Sequence, residues 1–190
     1  MGRLLAIAVA LLLGTAARAD SPPPDPGPPG MLRSTFPDAL HFEAVDLLLT
    51  DQMAKQLEEL ARSCIGERMV TFYVARGAGS PDRFQGGPVL GYAVLQSHVV
   101  RTKRETLLLA FEPDGRIRRI VVLSFLEPPE YKPSERWLGQ FAGKTAADRL
   151  AVGDDLAPIS GATLSARGVA EQSRWLLQAL QMARQERRVP

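Results

Sequence analysis

Cysteine is almost absent from this sequence. Among 190 residues there is one, Cys64. A single cysteine allows no internal disulfide, and at the end of a helical pattern it reads as a small buried hydrophobe rather than a reactive thiol. Histidine is nearly as scarce. His41 and His98 lie far apart and share no ligand spacing with Cys64, so no metal or haem site is expected. Excess charge is missing too. The formal net charge is +2. Loss of Arg3 and Arg18 with an N-terminal leader would take Lys plus Arg from 23 to 21, equal to the 21 Asp plus Glu. A balanced chain without a basic patch gives no support for nucleic-acid binding. No apolar run is long enough to span a bilayer, no internal repeat is visible, and no acid–base pair or substrate triad stands out.

What is present suits a globular protein. Hydrophobic residues make up 45% and charged residues 23%, enough apolar material for a core. Residues 1–19 read as a secretory signal: Arg3 supplies the positive start, Leu4 to Leu13 the apolar run, and Ala17-Arg18-Ala19 the cleavage site. The cut is expected before Asp20, with no cysteine there for a lipid and no twin arginine. The mature protein is then expected outside the cytoplasm, in a periplasm or its equivalent. Residues 20–34, rich in proline, read as an extended tether. Residues 35–88 hold an N-terminal helix and first strand. Residues 89–190 form the second part of what reads as one globular unit over 35–190.

Phe36 to Leu49 mixes apolar and acidic residues and is expected to dock along the domain edge. Thr50 is placed to cap a helix from Asp51 to about Arg62, with Met53, Leu57, Leu60 and Ala61 at helical spacing and Gly66 closing the unit. Four strands follow: Met69 to Ala75, Leu90 to Val100, Glu105 to Phe111 and Arg116 to Phe125. Gly77 to Pro88 is a loop, and Pro113-Asp114-Gly115 signals a tight turn. Short connections predict an antiparallel meander, which with the helices makes the fold class α+β. Ser134 caps a short helix carrying Trp137, Leu138 and Phe141 and closed by Gly143. The last helix runs from about Ser165 to Arg187, with Val169, Ser173, Leu176, Leu180 and Ala183 on one stripe.

The most informative stretch is Ser160-Gly161-Ala162-Thr163-Leu164-Ser165, between an Asp/Gly/Pro-rich loop and that last helix. Glycine admits close backbone approach, and a helix start offers free N–H groups and a positive dipole end. A phosphate fits such a place. Plain N-capping by Ser160 or Thr163 is the commoner use of these residues.

The order of segments adds to this. Gly91-Tyr92-Ala93-Val94 is followed by Asp114-Gly115-Arg116-Ile117. Next come Glu127-Pro128-Pro129-Glu130-Tyr131 and Trp137-Leu138-Gly139-Gln140-Phe141-Ala142-Gly143-Lys144, and then Ser160-Gly161-Ala162-Thr163. This series, over roughly Leu90 to Leu180, resembles the FMN-binding domain family. That family includes the C subunit of the sodium-pumping NADH:quinone oxidoreductase and the G subunit of Rnf complexes. The resemblance implies FMN joined to Thr163 through a phosphoester, installed from FAD by a separate, Mg-dependent flavin transferase. Ser160, Gly161, Ala162, Leu164 and Ser165 would line the phosphate and ribityl chain. Glu127, Pro128 and Pro129 would lie near the flavin ring, with Tyr131 and Trp137 covering it. For Trp137 and Phe141, plain core packing stays open beside this.

The chain departs from the family pattern in two places. The aspartate three residues before the serine is Ala157 here, unless a bulged loop brings Asp155 into place. The family's Thr-Pro-Gly is Pro128-Pro129-Glu130, which implies a more open ring pocket. Three functions are compatible with these readings. An exported FMN flavoprotein carrying electrons between a donor and an acceptor protein is favoured over a substrate-specific enzyme. A flavin-dependent reductase and a module that is flavin-free or binds FMN without a bond are the alternatives.

Overall fold

A computed structural model describes residues 29–79 and 86–190. The signal sequence, most of the tether and the middle of the Gly77–Pro88 loop lie outside the described residues. The architecture is α+β. Five strands, β1 (His41–Leu48), β2 (Met69–Arg76), β3 (Val89–Val99), β4 (Arg104–Phe111) and β5 (Ile117–Phe125), form one sheet in the order β1-β2-β3-β4-β5. Every neighbouring pair is antiparallel. The helices are α1 (Pro29–Thr35), α2 (Asp51–Ala61), α3 (Glu135–Leu138) and α4 (Thr163–Gln185).

The near-continuous apolar run of β4 follows from burial on both faces. Leu107, Leu109 and Phe111 face the main core with α2 and α4, while Leu108 and Ala110 face a smaller core with Leu32 and Phe36. Period-two alternation sends successive side chains to opposite sides. The α4 stripe is buried as its spacing predicts, with Val169, Ser173, Leu176, Leu180 and Ala183 each almost fully enclosed. Burial of a leucine such as Leu176 contributes about 2 kcal/mol.

Several expectations are corrected. The edge segment around Phe36 to Leu49 contains a full strand, β1, paired along its length with β2. Most of its side chains are exposed, and Glu43 and Asp46 bond Arg76 and Thr71. Residues 29–34, read as tether, belong to α1, whose Leu32 is anchored in the smaller core. Thr50 caps α2 as expected, its hydroxyl accepting from the Met53 N–H. The helix ends where its spacing predicts, closing on Arg62 in a left-handed conformation (φ 52°). Leu60 is half exposed, and Ala54 takes its place on the buried face. Cys64 is exposed, not buried.

Candidate functional site

Helix α4 begins two residues before the expected Ser165. Ala162 occupies the cap position, and no side chain caps the helix. The Ala162 carbonyl accepts from Ala166 N–H at 3.0 Å. The first N–H groups of a 23-residue helix are thus left without a side-chain acceptor. Plain N-capping by Ser160 or Thr163, the commoner use of such residues, is not what this stretch does. Gly161 has φ +82°, a left-handed conformation that glycine adopts without a Cβ penalty. Ala162 and Ser165 turn inward and are almost fully buried, while Ser160, Gly161, Thr163 and Leu164 face outward. No hydrogen bond to another side chain engages the Thr163 hydroxyl among the described residues. A hydroxyl without a neighbouring base is a weak nucleophile.

The loop that delivers this motif is fixed from beneath by α3. Trp137 Nε1 donates to the Ala157 carbonyl at 2.6 Å, and Ala157 N–H donates to Gln140 Oε1 at 2.8 Å. Trp137 is 7% exposed and packs edge-on against Phe141, with ring centroids 5.3 Å apart. Its indole is a core and loop-holding group rather than an open platform for a ring. Asp155 is committed as well: its carboxylate accepts from Leu150 N–H at 3.1 Å, Ala151 N–H at 2.7 Å and Lys144 Nζ at 3.0 Å. Burial pushes the Asp155 carboxyl up, but the Ala151 and Leu150 N–H groups and the Lys144 ammonium outweigh it and hold it below the ordinary range. Asp155 therefore does not take the place of the aspartate that Ala157 replaces.

Glu127 lies at the exit of β5. Its Oε1 accepts from the backbone N–H groups of Thr102 at 2.7 Å, Lys103 at 2.8 Å and Arg101 at 3.3 Å. These donors, Thr102 and Lys103 foremost, hold the carboxyl below its usual value. Glu127 thus fastens the β3–β4 turn. Pro128 and Pro129 are exposed beside it. The Tyr131 ring is covered by the Arg101 guanidinium, 5.0 Å from its centroid. The structure brings Glu127, Tyr131 and the turn at 101–103 together.

Two features at this end of the sheet escaped the sequence reading. One is Arg101. The other is a buried pair directly opposed across β3 and β4, with His98 Nε2 3.2 Å from Glu105 Oε2. The signal was available, because a tight turn centred on Arg101 and Thr102 sets these two residues opposite each other. His98 lies against Gly168, where a Cβ would come within 2.6 Å of Nε2. The end of β3 therefore meets the second turn of α4.

FMN fits this geometry at one end. The uncapped helix start, Gly161 and the exposed Thr163 suit a phosphate. At the ring end Pro128 and Pro129 are exposed and Tyr131 is covered by Arg101. Five of the cavities among the described residues lie elsewhere, and none of these five is lined by 127–131 or 160–165. Among the described residues no group of acids, histidines and cysteine is arranged for a metal ion. No helix there is long and apolar enough to cross a membrane. The chain matches no family model and no curated protein sequence.

Proposed function

We propose that this protein is an exported flavoprotein that carries electrons on an FMN esterified to Thr163. The observation that carries the reading is the exposed Thr163 at the first position of α4, where no side chain competes for the helix N–H groups. When bound, FMN supplies the electron-accepting and electron-donating chemistry. The chain supplies position. The first-turn N–H groups and helix dipole hold the phosphate, Gly161 lets the backbone come close, and Ala162 and Ser165 anchor the turn beneath.

Attachment needs a partner enzyme, because among the described residues no side chain is hydrogen-bonded to the Thr163 hydroxyl to take its proton. A flavin transferase would break the pyrophosphate bond of FAD and form the Thr163 Oγ1–phosphorus bond. AMP leaves, and the hydroxyl proton passes to solvent. An electron donor and acceptor, each a redox protein, complete the set of partners. The experiment is coexpression with a flavin transferase, followed by intact mass and by colour after denaturation. Flavin mass retained in the wild type and absent in Thr163→Val is the expected result. Wild-type protein of unmodified mass overturns the covalent reading.

A second reading, an interaction module in an extracytoplasmic redox system that lacks flavin or binds FMN without a bond, is favoured by one observation. Glu127, Tyr131 and Trp137 are all engaged in contacts within the protein. Flavin that washes off on denaturation, or never binds, selects it.

A further inference from the structure

One cavity away from Thr163 has a chemistry of its own. It lies between the end of α2, the 145–151 loop and the middle of α4, with a volume of about 330 Å³. Its charged lining is Arg62, Arg149 and Arg174 against one carboxylate, Asp148. Two of these four are already matched. Asp148 accepts from the Thr145 N–H and hydroxyl, with Lys144 Nζ 3.7 Å away, and Arg149 pairs with Asp154. Arg62 and Arg174 have no ion pair among the described residues.

Arg174 spends two donors on backbone. Nε reaches the Ala61 carbonyl at 3.0 Å and Nη1 the Leu150 carbonyl at 2.7 Å. A guanidinium has five N–H donors, so three remain. Burial pushes this guanidinium below its ordinary pKa. Glu171 and Asp155 oppose that, and the Arg62 charge adds to it. The two cations repel across a shared space.

The backbone here is strained as well. Arg62 (φ 52°) and Leu150 (φ 47°) both line the cavity in left-handed conformations. Such conformations are uncommon outside glycine and cluster at ligand clamps. Arg174 holds both, through the carbonyl just before Arg62 and through the carbonyl of Leu150 itself.

We propose that this cavity is an anion site that takes the phosphate group of a small phosphate ester, gripped by Arg62 and Arg174. A dianion between the two guanidinium groups removes their repulsion and uses the donors left over on Arg174. The volume leaves room for a modest organic body beside the phosphate. The site is separate from Thr163, which precedes Arg174 by about 16 Å of helix rise.

The test uses the full chain as Thr163→Val, so that no flavin phosphate is present. Inorganic phosphate and pyrophosphate are titrated at constant ionic strength, followed by calorimetry and by the Nε–H resonances of Arg62 and Arg174. Saturable binding with a dissociation constant of about 1 mM or tighter is expected. Arg62→Gly suits the left-handed backbone, so it should melt no lower than its parent and bind roughly tenfold more weakly. Arg174→Lys keeps the charge but loses the fork, and should also weaken binding. If Arg174→Lys does not fold, Arg62→Gly decides alone. Absence of saturation, or equal affinity in Arg62→Gly, overturns the proposal.

Discussion

Trp137 holds Ala157 by its carbonyl oxygen, through an indole N–H···O bond of 2.6 Å, and Gln140 holds the same residue by its N–H. Both backbone groups of one loop residue are captured by one short helical unit, three residues before the Ser160–Ser165 stretch. The loop approaches α4 in a fixed course without help from an acidic side chain at that position.

Trp137→Phe tests that arrangement. It removes the N–H donor and part of a buried ring, and should cost about 2 kcal/mol in the unfolding free energy of the flavin-free protein. Urea denaturation measures it. A cost below about 0.5 kcal/mol, the size of an ordinary surface change, would return Trp137 to the role of ring cover.

Glu127→Gln should remove a pH-dependent part of the stability. The carboxyl is held low by the N–H groups of Thr102 and Lys103. In the folded state it therefore gives up its proton more readily than in the unfolded chain. Its contribution is fully present above the ordinary glutamate value of 4.5. It fades as pH falls from there through the lowered folded value. The wild-type denaturation midpoint should exceed that of Glu127→Gln at neutral pH, and the gap should narrow in acid. A gap that is constant down to the acid limit contradicts this account.

These contacts mark the border of what the sequence could tell. Strands β2 to β5 were legible because β-branched and aromatic runs alternate between clear turn signals. The stripe on α4 was legible because its period is helical. Strand β1 was not, since an edge strand with acids such as Glu43 and Asp46 on it has no clean alternation. The end of α2 near Arg62 was legible from its helical spacing, but not the left-handed backbone that closes it, because a non-glycine residue gives no signal for that conformation. The place of Thr163 at a helix start was readable from small residues before an amphipathic run. The bonds from Glu127 to the turn at 101–103 and from Trp137 to Ala157 were not. They join side chain to backbone across 20 or more residues, and any backbone N–H or carbonyl can serve.

Gly168→Ala should reverse the usual sign of a helical glycine change. In an open helix interior alanine gains about 1 kcal/mol over glycine. Here the new methyl would meet His98 Nε2 at 2.6 Å, and His98 is itself packed against Glu105. A loss of about 1–3 kcal/mol is expected. His98→Ala empties that space, so the double variant should recover part of the loss, with a coupling of about 1 kcal/mol or more. Additive losses in the cycle would show that the two residues do not touch.

Gly91→Ala should be the more severe glycine change. Gly91 sits in β3 at φ +149°, beside the register shift between Ala75 and Arg76 of β2. A Cβ there would lie 2.3 Å from the Phe111 carbonyl oxygen and 2.5 Å from Phe36 Cε1. Neither neighbour yields easily. The first is backbone of the adjacent strand, and the second is a fully buried ring that joins the segment after α1 to the outer face of the sheet. Strain at the backbone and overpacking at the ring add, so the loss should exceed about 3 kcal/mol. Phe36→Ala in the same chain relieves only the ring contact. The double variant should therefore remain less stable than Phe36→Ala alone, by the amount that the backbone clash contributes. Thermal unfolding of the four proteins separates the two parts, and a double variant no less stable than Phe36→Ala would place the whole effect on the ring.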